Sequence, residues 1–109
     1  MRSDRLYLAD LREAIDRIER GLADCEEVAF LSDELRQSAA LKQLTVIGEA
    51  AARLGPETRE ATALVPWKEI IGFRNIAVHA YFSVDWHVVY FTAFDDLPPL
   101  KKEIRRLLA

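Results

Sequence analysis

The chain has 109 residues, 50% hydrophobic and 30% charged, which suits one soluble domain covering residues 1–109. Fifteen Lys plus Arg against eighteen Asp plus Glu leave a formal charge of −3 with both signs interspersed, which excludes a domain that holds nucleic acid through bulk positive charge; any nucleic-acid chemistry must be local. The single Cys25 and two His fall short of a disulfide or zinc framework, and no apolar run approaches the roughly 18 residues of a membrane span, so the expectation is a cytoplasmic protein without membrane contact, metal or cofactor.

From Ser3 the apolar residues Leu8, Leu11, Ile15, Ile18 and Leu22 alternate spacings of three and four, which predicts an amphipathic helix capped by Ser3 or Asp4 with Gly21 near its end. A turn or two follows over Glu26 to Leu31. Ser32 or Asp33 then opens a second long helix whose apolar face is expected to run through Leu35, Leu44, Ile47, Ala51 and Leu54 until Gly55-Pro56 stops it. Glu57 to Leu64 reads as a short helix, and Pro66 suits the first position of the next. Trp67 to Tyr81 is ambiguous, because Ile76, Val78, Phe82 and Val84 alternate as in a strand. Helix is preferred, since no second segment is punctuated as a pairing strand. Ser83 or Asp85 caps a last helix with Trp86, Val89, Tyr90, Ala93 and Leu97 on one face and Val88, Phe91 and Phe94 around much of the rest. So much apolar surface on one helix predicts contact with a second subunit. Pro98-Pro99 is expected to break this helix, leaving the basic tail Lys101 to Arg106 as a short amphipathic turn or two. The reading is an all-α bundle of about five helices.

Arg74, Asn75, His79 and Tyr81 cluster in an otherwise apolar stretch. On a helix Arg74 and Tyr81 share a face, as do Asn75 and His79, whereas Arg74 and His79 diverge by about 140°. They converge only if the Arg reaches round, if the helix is distorted, or if two copies face each other across a dimer. Chemically, His79 suits a general acid or base, Arg74 can hold a phosphate and stabilise its transition state, and Asn75 or Tyr81 can orient either. These are parts of a metal-free ribonuclease, in which the RNA 2′-OH is the nucleophile. The competing reading is structural: His79 and Tyr81 hydrogen-bonded in the core and Arg74 paired with a carboxylate.

The string Arg74-x4-His79-x-Tyr81 is similar to the motif of the HepT-like HEPN toxins, small all-helical proteins encoded beside a minimal nucleotidyltransferase. Nearly the whole chain shares the likeness, through Tyr7 to Ile18, Leu44-Thr-Val-Ile-Gly-Glu-Ala-Ala, Pro66-Trp-Lys-Glu-Ile-Ile-Gly-Phe-Arg-Asn, Tyr81-Phe-Ser-Val-Asp and Asp96-Leu-Pro-Pro-Leu-Lys, in that order. The resemblance implies an antiparallel HEPN bundle that forms a homodimer, with Arg74 and His79 of both subunits lining a cleft where RNA is cut. It also implies a cognate nucleotidyltransferase antitoxin that transfers AMP to Tyr81 and so blocks the cleft. Many members carry Asp after the motif Arg; this chain has Asn75, which keeps a hydrogen-bonding role but not the charge.

Three other features have two readings each. Glu49 is a buried carboxylate pairing with Arg74 or a solvated helix residue; His87 is a second catalytic group or a first-turn surface residue; the basic tail touches RNA or an acidic partner, or is a solvated face. The rival to an enzyme is a non-catalytic subunit that partners a nucleotidyltransferase and helps it bind nucleotide or substrate.

Overall fold

A computed structural model describes residues 3–75 and 83–109. The expectations for His79 and Tyr81, and for the continuation of helix through residue 81, lie outside the described residues.

Two 19-residue helices, α1 (Asp4–Leu22) and α3 (Glu34–Ala52), form the framework. Between them lies α2 (Glu27–Leu31); after them come α4 (Pro56–Ala61), α5 (Trp67–Ile71), α6 (Trp86–Phe91), a π-helical turn (Thr92–Asp96) and α7 (Leu97–Leu108). The described residues are all helix, turn and connection. Asp4 at the start of α1 bonds to Gly55 just past α3, and Arg5 donates to the Leu108 carbonyl at the end of α7, so α1 runs antiparallel to both.

The stripe expected on α1 is the stripe observed: Leu8, Leu11, Ile15, Ile18 and Leu22 are all buried, with Ala14 among them. In α3 the outcome differs. Leu44, Ile47, Ala51 and Leu54 are buried, but Leu35 is 85% exposed. α3 is contacted by α1, α2, α5 and α6, so its buried positions spread around the helix from Gln37 to Ala51 and no single stripe describes it. Leu35 sits in the first turn, ahead of that packed span. Gln37 is buried because its amide donates to the Phe30 and Leu31 carbonyls at 3.0 and 3.1 Å, closing the end of α2. Asp33, one of the two expected caps, accepts from the Arg36 N–H at 3.1 Å.

The expected break at Pro98-Pro99 does not occur. α6 passes through the π-turn directly into α7, whose first turn contains both prolines and whose Leu97, Leu100 and Ile104 are buried. A proline in the first turn gives up only a donor that the helix start leaves open, and the wider π-turn, in which the Leu97 N–H reaches the Thr92 carbonyl, relieves the ring's collision with the preceding turn. The basic tail is therefore a 12-residue helix of the bundle, and Lys101 is held by Asp16 at 2.6 Å and Glu19 at 2.9 Å on α1.

Candidate active site

The segment leading to Arg74 is fixed from its N-terminal side. Trp67 and Ile70, three apart on α5, are buried against α3. The Trp67 indole N–H donates to Thr62 Oγ1 at 3.0 Å, and Thr62 donates to the Thr58 carbonyl at 2.8 Å, which ties α5 to α4. Pro66, expected at the first position of α5, stands one residue earlier, just outside it; its side chain makes no cap bond, and its carbonyl accepts from the Ile70 N–H at 3.1 Å. The helix expected from Trp67 onward is interrupted: α5 ends at Ile71, the chain turns at Gly72, and helix resumes at residues 73–75 with the Asn75 N–H bonded to the Gly72 carbonyl at 3.0 Å. Glycine's low helix propensity favours the interruption there.

After the turn the backbone lies directly on α3. A Cβ built on Gly48 would stand 2.6 Å from the Arg74 backbone nitrogen, 3.0 Å from the Ile71 carbonyl oxygen and 3.2 Å from the Arg74 Cβ. Gly48 is buried, and any larger residue there would collide with this crossing. This was the residue sequence reading passed over. Its signal was the string Ile47-Gly48-Glu49 inside a helix, where glycine is otherwise a disadvantage.

Arg74 and Asn75 are exposed, and the Arg74 guanidinium has no hydrogen bond or ion pair with another described residue. The carboxylate pairing considered for Arg74 is therefore absent among the described residues. Glu49 is an exposed helix residue and is not its partner. His87 is likewise committed elsewhere: in the first turn of α6, which Asp85 caps through the His87 and Val88 N–H groups, its Nδ1 pairs with Glu27 of α2. That contact, with Phe30 packed edge-on to Trp86 and the Tyr90 hydroxyl donating to the Cys25 carbonyl at 2.9 Å, pins α2 to α6.

Beside Phe73 opens a groove of about 520 Å³ with an apolar floor that includes Ile70, Phe73, Leu97 and Leu100. Its rim carries Glu69, Asp95, Asp96 and Glu103 against one Lys102, a balance that repels phosphates and so argues against an RNA path on that side. Val88, Phe91 and Phe94 are 57, 49 and 46% exposed on α6 and the π-turn. Among the described residues no three His, Cys, Asp or Glu side chains gather as a metal site, and no helix is long and apolar enough to cross a membrane.

Comparison with known proteins agrees with this architecture. A family sequence profile described as "Ribonuclease HepT-like" matches residues 11–107. The chain is 35% identical over 106 residues to the "Probable ribonuclease HepT" of Thermococcus cleftensis, covering 97% of this chain and 96% of that protein. It is 31% identical over 103 residues to a protein of Methanocaldococcus jannaschii named "Putative RNase", covering 94% of each. A protein of Caldanaerobacter subterraneus with the same kind of name is 31% identical over 108 residues, covering 99% and 96%. No solved structure matches the chain.

Proposed function

The chain belongs to the HepT-like ribonuclease family, and on that footing we propose that it is the toxin of a toxin–antitoxin pair: a cytoplasmic, metal-independent endoribonuclease that works as a homodimer. His79 removes the proton of a ribose 2′-OH, whose oxygen attacks the adjacent phosphorus. Arg74 holds the phosphate and stabilises the charge of the five-coordinate transition state. The bond to the 5′-oxygen breaks, that oxygen takes a proton from an imidazolium, and the products are a 2′,3′-cyclic phosphate and a 5′-hydroxyl. Asn75 and Tyr81 orient these groups.

The observation that supports this reading most directly is Arg74 itself, exposed and without a carboxylate partner among the described residues on a backbone seated firmly against α3. The exposed Val88, Phe91 and Phe94 supply apolar surface for a second copy. Control by a cognate nucleotidyltransferase that transfers AMP to Tyr81 completes the proposal, the adduct adding bulk and negative charge where RNA phosphate must enter.

The test is cleavage of labelled RNA in EDTA by protein free of AMP. Arg74→Ala and His79→Ala should each lower the rate by about 10²-fold or more with the fold intact. Activity lost in EDTA and restored by Mg²⁺ would contradict the metal-free mechanism. Tyr81→Phe should cleave but gain no AMP mass from the nucleotidyltransferase; an adduct on that variant would remove Tyr81 from its role. Wild type inactive on every RNA would leave the non-catalytic binding subunit in the enzyme's place.

A further inference from the structure

We infer that Gly48 of α3 is a positioning residue for Arg74: the missing side chain sets where the helix carrying the arginine begins, and so where the guanidinium stands. The inference rests on the reading of Arg74 as the phosphate-binding group. Two of the three atoms that a Cβ at residue 48 would meet are backbone, the Arg74 nitrogen at 2.6 Å and the Ile71 oxygen at 3.0 Å, and neither can rotate away. One side must shift. α3 is held by Leu44, Ile47 and Ala51, each at most 1% exposed, whereas the other side has just turned at Gly72 and carries exposed Arg74 and Asn75, so the displacement falls on Arg74. Gly21 offers the contrast: a Cβ there meets nothing within 4 Å. Misplacing a catalytic group by about 1 Å can cost on the order of 10²-fold in rate.

A double-mutant cycle tests this. Gly48→Ala should lower kcat for RNA cleavage by about 10- to 100-fold with KM changed less than about twofold, while Gly21→Ala leaves both unchanged. In an Arg74→Ala background, Gly48→Ala should change the residual rate by less than about twofold, because its effect passes through the missing side chain. An equal loss in both backgrounds, or no loss at all, overturns the inference. Full activity in Arg74→Ala, or no cleavage by wild type, sinks the functional proposal instead. The positioning is then read from the Arg74 amide and Nε–H resonances of ¹⁵N-labelled protein: a shift in Gly48→Ala larger than any in α1 supports it, and unmoved peaks refute it. If Gly48→Ala does not fold even with a stabilising osmolyte present, the displacement has fallen on the α3 core and not on Arg74, and the inference is rejected.

Discussion

Asp4 illustrates how a residue's type is legible while its partner is not. The sequence marks it as a helix cap, and it does cap a helix, but another one: its carboxylate accepts from the Gly55 N–H at 3.1 to 3.2 Å and from Thr58 Oγ1 at 2.6 Å at the start of α4. Ser3, at the cap position of α1, makes no side-chain cap bond. Asp4→Ala should therefore lower the unfolding free energy by about 1–2 kcal/mol, read as a lower urea midpoint with unchanged slope. Leu35 and Leu44 show the same limit for apolar residues. Both fall on the expected face of α3, yet one is 85% and the other 1% exposed. Leu44→Ala should cost about 2–5 kcal/mol, and Leu35→Ala should stay within about 0.5 kcal/mol.

At the scale of elements, α1 followed from apolar periodicity and the order of the helices from cap, glycine and proline punctuation as well; α4 ends at Ala61, short of the expected Leu64, and the larger errors concentrated at proline and glycine. Pro98-Pro99 read as a stop because a proline inside a helix removes a hydrogen bond and collides with the preceding turn. Whether two prolines end a helix or occupy its first turn depends on the backbone before them, here a π-turn that adjusts the register. The consequence is testable on α7. Ile104 is fully buried, so Ile104→Ala should destabilise the protein by about 2–5 kcal/mol by urea titration. A frayed basic tail would show almost no effect. Gly72 was the opposite error, a break missed in a segment whose apolar content suited continuous helix.

For the whole molecule, closure depends on contacts between elements far apart in the chain. Lys101 joins α7 to α1, and its pKa is raised above the ordinary 10.5 by hydrogen bonds from its ammonium to Asp16 and then Glu19. Tyr90 joins α6 to the segment before α2, and its pKa is raised above 10.0 by burial, then by the neighbouring Cys25, Glu27 and Glu26. In both cases the folded state holds its proton more tightly than the unfolded state. The stability contributed is whole below about pH 10 and is lost as pH climbs toward the raised values. Urea midpoints should be level between pH 8 and about 9.5 and fall above about 10, with a shallower fall in Lys101→Met. The exposed Val88, Phe91 and Phe94 lead to a second expectation at this scale. Sedimentation should show a dimer that Phe91→Lys converts to a folded monomer, and a wild-type monomer persisting at about 100 μM would remove the shared cleft from the proposal.

The helical class, the α1 stripe and the two pairs of cap candidates, Ser32 or Asp33 and Ser83 or Asp85, could be read from the chain alone, because each depends on neighbours within about one or two helical turns; the structure chose Asp33 and Asp85. Tertiary structure alone decided which residues of the central α3 are buried, that the prolines begin a helix, that His87 belongs to Glu27, and that Gly48 lies under Arg74. The physical reason is common to all four. Each is set by how backbone segments are placed in three dimensions, for the prolines the π-turn just before them and for the others the approach of segments distant in sequence, and local periodicity holds no record of either.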